Sequence, residues 1–465
     1  MPARRRSPLL RLALGCALVT PLAGALIVAP AVHAKKKSKQ DSLKISLDIK
    51  DFTLDNGMEV YVIEDDSTPA FNINITYDVG SRDEEVGHTG FAHFFEHMMF
   101  QGSQNLPDNA IGEYTERAGG NINAATSFDQ TFYYHNIPSQ YLDMVLWGEA
   151  DRLANLEITK EAFEAQRAAV KSEKDRGDNQ PFAKGIEQMI GELFEGTPYS
   201  HMPIGYLEDL DNAKREDAEA FFKTYYKPSN AVMVIVGDVE FEKVKERVTH
   251  YFGEIPKGDP KPPVVEFEVK RGRKIERQVS DDKAQQTQWI WAWPTVGDDH
   301  PDRAAIELLG NILFGGQSSR VPKLMTDDKK WTAFAGGGHL FAFRDAGAML
   351  FFGVPTTEGE KHLDEVKTAL AGELDKVAKK GVSSKELEKA VNAQLMQTIS
   401  TLQTNAGRAM AVANGALFYD DPKRVLTDMD RYSEVTTKDI KRVAQTYFND
   451  NWVFYEMVPA NKASK

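Results

Sequence analysis

The sequence predicts an α+β fold made of two similarly folded halves, each a mainly antiparallel sheet packed with helices. Three observations carry this. Short β-branched strand patterns alternate with helical ones along most of the chain. Two stretches of the first half recur in the second. Between the halves, Pro256, Pro260, Pro262 and Pro263, with Gly258, make a stiff exposed linker. With 465 residues, 42% of them hydrophobic, the chain can bury sizeable cores. The expected organisation is a leader at 1–34, a flexible basic segment at 35–44, a first domain at 45–255, the linker at 256–273 and a second domain at 274–460.

Arg4, Arg5, Arg6 and Arg11 precede an apolar stretch running from Leu12 to Val28, and Val32-His33-Ala34 offers small residues for cleavage after Ala34. This is the pattern of a secretory signal peptide. Cys16 lies inside it and is the only cysteine, so the mature chain would carry no disulfide and no thiol nucleophile. The combination points to a bacterial periplasmic or secreted protein. Past the leader, no stretch is long and apolar enough to span a bilayer. Loss of the leader's four arginines takes the formal charge from −13 to −17, which argues against nucleic acid as a partner.

In the first half, residues 52–63 read as two strands around the Asn56-Gly57 turn, and a third strand follows at 71–79. A polar loop leads through Gly80-Ser81-Arg82-Asp83-Glu84 to a helix beginning near Gly90. A helix at 107–117 stops at Gly119-Gly120, and strands follow at 121–127 and 130–136. Helices are expected at 138–154, at 159–176 with Thr159 as N-cap, at 182–194 and at 218–226. Residues 231–236 form a strong strand stopped by Gly237-Asp238. In the second half, strands are expected at 278–293, 348–354 and 452–457, with long helices at 359–380 and 384–413.

The repeat sets Phe314 on Phe100, so the stretch 305–316 overlies 91–102. A second match pairs Thr224-Tyr225-Tyr226 and its following strand with Thr446-Tyr447-Phe448 and the strand after it. Both matches are short; together they argue for a common fold.

The chemistry lies in 90–100, where His93-Phe94-Phe95-Glu96-His97 spells H-x-x-E-H. A helix turns by about 100° per residue, so His93 and His97 stand on one face with Glu96 on the adjoining stripe. Two imidazoles so spaced can hold one zinc ion, and the carboxylate can take a proton from an attacking water. In the repeat register Glu307, Gly310 and Asn311 stand opposite His93, Glu96 and His97, so only the first half keeps metal-binding residues. His201, in Tyr199-Ser200-His201-Met202-Pro203, reads as a surface loop histidine, with a place lining an interior chamber as the alternative.

The chain resembles the pitrilysin/insulinase family of inverted-motif zinc metallopeptidases, which includes the mitochondrial processing peptidases. The likeness rests on Leu54-Asp55-Asn56-Gly57, Gly80–Glu84, the motif helix with Gly102, Gly119–Ala124, Arg167–Glu173, Tyr226–Asn230 and Gly237-Asp238. It implies one zinc per chain and a last ligand from a downstream helix, which falls on Glu173, with 75 residues between it and His97. Two His and one Glu leave a fourth position open, as a catalytic zinc site requires. Seven residues before the ligand the family usually has a supporting glutamate, and here Gln166 stands there. The resemblance also makes 121–126 an edge strand that takes up extended peptide, with Asn123 and Ala124 as substrate contacts.

A departure follows in the second half. Self-sufficient members carry an arginine and a tyrosine there, seven residues apart; those positions fall on Thr326 and Ala333. The resemblance therefore implies a zinc metalloendopeptidase acting on short or unfolded peptides. It would be the catalytic subunit of a heterodimer, with two such chains closing as a clamshell around a chamber. The partner would be a homologous subunit supplying the missing pair, or a second copy of this chain. The rival expectation is a non-catalytic binding or assembly subunit.

Overall fold

The computed structural model describes residues 45–270, 272–448 and 450–462. The expected leader and basic segment lie outside these. Residues from Ser46 onward form one compact unit.

The first sheet is built from β1 (Lys50–Thr53), β2 (Glu59–Glu64), β3 (Ala70–Tyr77), β4 (Asn121–Thr126), β5 (Thr131–Pro138) and β6 (Ala231–Gly237). Its order is β1-β2-β6-β3-β5-β4. Only β2 and β6 run parallel; the other neighbours are antiparallel. The unbroken apolar run of β6, Ala231 to Gly237, is buried on both faces, as a central strand requires. The helices of this half are α1 (Phe91–Met98), α2 (Ala110–Arg117), α3 (Leu142–Asn155), α4 (Lys160–Asp178), α5 (Ala183–Leu193), α6 (Leu207–Asn212), α7 (Arg215–Tyr225) and α8 (Phe241–Phe252). Apolar side chains of α1, α3, α7 and α8 pack on one sheet face against Val60, Val62, Ile73, Ile75, Met233 and Ile235.

The second sheet comprises β7 (Lys274–Asp281), β8 (Gln288–Val296), β9 (Thr332–Ala342), β10 (Ala346–Pro355) and β11 (Trp452–Pro459). Its order is β7-β11-β8-β10-β9, with β7 and β11 parallel and the rest antiparallel. That is the first sheet's β2-β6-β3-β5-β4, strand for strand. Its helices are α9 (Arg303–Phe314), the short turns α10 (Arg320–Pro322) and α11 (Thr357–Glu360), α12 (Leu363–Lys380), α13 (Ser384–Leu402), α14 (Asn405–Tyr419), α15 (Arg424–Glu434) and α16 (Thr437–Tyr447).

The two halves exchange helices. On the sheet face away from its own helices, β3 and β6 of the first half are covered by α14 of the second. In return α5 packs on β8 and β11, where Met189, Ile190 and Leu193 meet Ile290, Ala292 and Tyr455. The inward face of α14 is rich in small residues, Ala409, Ala413 and Ala416, which let it lie close to the sheet.

Two expectations need correcting. The helix expected over 384–413 is two helices, broken at Gln403-Thr404. Thr404 turns extended, and its hydroxyl accepts from the Gly407 amide at 3.0 Å, so its side chain caps a new helix. Strand β9 was not anticipated because Gly336-Gly337-Gly338 interrupts its apolar pattern. A Cβ at Gly337 would lie 2.1 Å from the Leu350 carbonyl oxygen, so the close approach of β10 demands glycine.

Candidate active site

Helix α1 spans only eight residues, too short to persist on propensity alone. Packing fixes it. Phe94 meets Phe163 of α4 edge to face at 5.1 Å, and Phe95 stacks on Phe222 of α7 at 5.5 Å. The first contact sets α1 against α4. Its N-terminus is fixed separately. Gly90 has φ +87°, and a Cβ there would stand 2.6 Å from the Ile204 carbonyl oxygen. The Glu84 carboxylate accepts from the Gly90 and Ala92 amides at 2.9 and 2.8 Å, holding two donors the helix cannot satisfy itself.

His201 stands 2.8 Å from Glu84 through Nε2 and is 9% exposed. The expectation of a surface loop histidine is thus corrected. The 196–205 loop folds back over the start of α1, and the buried Glu84 carboxyl finds a polar partner there.

On this framework His93 and His97 project from one face of α1, and Glu173 faces them from α4. One ligand atom of each lies within 4.8 Å of the others. The carboxylate oxygens stand 3.9 Å from His93 Nε2 and 3.5 Å from His97 Nε2. Burial pushes the His93 imidazole down to about 4, with His97 adding to the shift and Glu173 opposing it. A neutral ring offers a lone pair. Burial acts to raise the Glu173 carboxyl, but His97 and His93 beside it hold it below its ordinary value. Among the described residues, the buried His97 Nε2 finds no hydrogen-bond partner. Donors around a tetrahedral zinc stand roughly 3.3 Å apart, and an unpartnered buried nitrogen facing a carboxylate fits such an ion.

Glu96 is 1% exposed and sits beside this group. The Thr126 hydroxyl, at the end of β4, donates to its Oε2 at 2.7 Å. Burial pushes the Glu96 carboxyl up to about 6, against that hydrogen bond. Sequence reasoning missed Thr126; its signal is the position of β4 beside the motif helix.

Among the described residues strand β4 is an edge, bonded only to β5. Ser127 N donates to the Gln130 carbonyl at 2.8 Å, so by the alternation of an antiparallel pair Ile122, Ala124 and Thr126 turn their backbone groups to the free edge. Asn123 Oδ1 accepts from the Ala124 amide at 3.0 Å. Gln166 lies half-buried on α4, two turns before Glu173. In the second half, the Thr326 hydroxyl lies 2.9 Å from that of Thr332, and Ala333 is exposed on β9.

Residues 59–201 match the family model described as Insulinase (Peptidase family M16), and residues 212–394 match that of the Peptidase M16 inactive domain. The chain is 29% identical over 406 residues to the zinc protease PqqE of Helicobacter pylori, covering 86% of this chain and 90% of that protein. It is 26% identical over 407 residues to a probable mitochondrial-processing peptidase subunit beta of Arabidopsis thaliana, covering 86% and 76% respectively. A crystal structure of a protease from Helicobacter pylori superposes with a TM-score of 0.82 at 27% identity, over 89% of this chain and all of that one. Two matched models laid end to end, a shared strand order in both halves and this structural likeness together place the chain in the pitrilysin/insulinase family of peptidases.

Proposed function

We propose that this chain hydrolyses peptide bonds in short or unfolded peptides, with zinc held by His93, His97 and Glu173, and that it is the metal-bearing subunit of a two-chain enzyme. The observation that carries the reading is the convergence of two imidazoles and a carboxylate beside a buried glutamate. Zinc bound there would polarise the scissile carbonyl and acidify the attacking water. Glu96 takes the proton from that water and returns it to the leaving amine, a role favoured by a carboxyl raised toward neutrality. Thr126 holds one of its oxygens, which fixes the other. The free edge of β4 receives the peptide as an added strand, with Ala124 offering its amide and Asn123 releasing it.

The partner follows from the second half. Neither Thr326 nor Ala333 can supply the cationic and phenolic groups that self-sufficient members bring to the substrate. A homologous subunit, or a second copy, would provide them across a closed chamber. The similarity to a protein named as a subunit supports this. The same two residues support a second reading, a non-catalytic subunit. The leader-like N-terminal sequence supports a periplasmic or secreted location, and among the described residues no helix is long and apolar enough to cross a membrane.

The test is metal analysis with a quenched-peptide assay on the wild type and Glu96→Gln, with and without a homologous chain. Zinc retained and cleavage lost in Glu96→Gln is expected. Unchanged cleavage in that variant, or wild type without zinc, overturns the catalytic reading. A chain that cleaves as fast alone as with a homologue removes the two-subunit part.

A further inference from the structure

On the sheet face opposite the metal helix, α14 does not close evenly. A cavity of about 190 Å³ remains between it and strands β3 and β5, lined by Asn72, Asn74, Phe132, Tyr134, Asn136 and Met410 among others, none charged. Phe132 and Tyr134 stack along β5 with ring centres 6.2 Å apart. Asn72 is 1% exposed. Its Nδ2 donates to the His135 carbonyl at 3.2 Å and to Asn136 Oδ1 at 3.0 Å. Those acceptors fix the orientation of the amide, because turned over its oxygen would face two oxygens. Asn72 Oδ1 is left buried without a hydrogen-bond partner among the described residues. Gln130, whose Nε2 lies 3.9 Å from Met410 Sδ, also leaves its Oε1 buried and unpartnered. From Asn136 the row of carboxamides continues: its Nδ2 donates to Asn121 Oδ1 at 2.9 Å, at the start of the edge strand. Asn72, Asn136 and Asn121 are register partners on three adjacent strands, so the row runs from the cavity to the free edge.

We infer that this cavity is a side-chain subsite for a carboxamide, the end group of a glutamine or asparagine in a peptide lying over the first sheet. The carboxamide N–H meets Asn72 Oδ1, and the methylene stem lies against Phe132, Tyr134 and Met410. An apolar side chain would leave Asn72 unpaired. An ammonium or guanidinium would shed water with no counter-charge in the lining. That the occupant belongs to a peptide rests on the peptidase reading above; the unmet acceptor does not.

The experiment scans one glutamine, and in parallel leucine, lysine or glutamate, through each position of a fluorescent host peptide. Binding to the full chain carrying Glu96→Gln is read by anisotropy, and cleavage by the otherwise unaltered chain is read separately. At one position glutamine should bind about tenfold tighter than leucine, since a site built around a hydrogen bond rejects an isostere lacking it. Asn72→Leu and Met410→Trp, on different elements, should each erase that difference while cleavage of a glutamine-free reference peptide persists. No glutamine preference at any position, or a preference unchanged in both variants, overturns the subsite and leaves the cavity to solvent. Cleavage without preference fails the subsite alone. Preference in binding, lost in both variants, with no cleavage by the wild type, supports the subsite and fails the peptidase reading.

Discussion

The two halves put the same helix to opposite uses. In the first, α1 turns His93 and His97 toward Glu173 and leaves a buried nitrogen without a partner. In the second, α9 places Glu307 where His93 would be, and the charge is neutralised internally. Arg303 stands 3.0 Å from Glu307 and 3.3 Å from Asp428, and His339 is 3.7 Å from Glu307. The Tyr432 hydroxyl donates to the same carboxylate. Asn311, in the place of His97, donates to Gln394 of α13 at 3.1 Å, much as His97 faces α4. Gly310, in the place of Glu96, lies against the β9 backbone, and a Cβ there would be 3.1 Å from His339 N. One scaffold gathers two imidazoles about a carboxylate; its copy sets a carboxylate among Arg303, His339 and Tyr432. The difference lies in the chemistry around the helix: in the first half a carboxylate faces its two imidazoles, and in the second cationic and phenolic groups surround its carboxylate.

Four measurements would break or sharpen this contrast. Glu96→Gln should lower kcat by about 10²–10⁴-fold while zinc content and melting temperature hold, because the change removes a proton carrier and not a ligand. Glu307→Ala, in the other half, should cost about 1–3 kcal/mol in urea unfolding, since it takes the acceptor from the buried Tyr432 hydroxyl and one carboxylate from Arg303, to which Asp298 and Asp428 remain. Zinc content should not change there; loss of metal in Glu307→Ala would show the halves to be one coupled site.

The third concerns the seam. Asp65, after β2, pairs with Arg408 of α14. Ser67 and Arg408 hold the Asp65 carboxyl down at about 2, below the 3.8 of a free aspartate. A depressed carboxyl stabilises above its unfolded value and loses that contribution as pH falls from about 4 through 2. For a partly exposed pair this amounts to about 1 kcal/mol. Urea midpoints should therefore fall more steeply with acidification in the wild type than in Asp65→Asn, and parallel curves would refute the pairing. The smallest effect expected is none. Glu307→His with Gly310→Glu and Asn311→His should gain no second zinc, because Gln394 offers no carboxylate and a side chain at position 310 would meet Met349 and the β9 backbone. Two zinc ions per chain in that triple variant would show the copy to be latent.

Much of this was legible because it is local. The motif spacing, the Asn56-Gly57 turn and the Thr159 cap each depend on residues near one another in the chain, and the structure has a helix at the motif, a turn between β1 and β2 and a helix starting after Thr159. What stayed hidden depends on distant partners. His201 reads as a loop residue until Glu84, 117 positions earlier, is seen beneath it. Thr126 gains a role only because β4 ends at Glu96. The break at Thr404 has a Ser/Thr-type capping signal, but its use shows only once α14 is seen packed across the first sheet.

The helix exchange has a consequence for the order of assembly. Asp65 and Arg408 are 343 positions apart, and the sheet they help to close is otherwise built from residues 50–237. During synthesis the first half must wait, one face bare, until residues 405–419 arrive. Contacts spanning such distances slow folding and prolong the exposure of apolar strands. The same interlocking means that a cut in the 256–273 segment should not release either half, and that fragments meeting at that point should reassemble as a non-covalent pair.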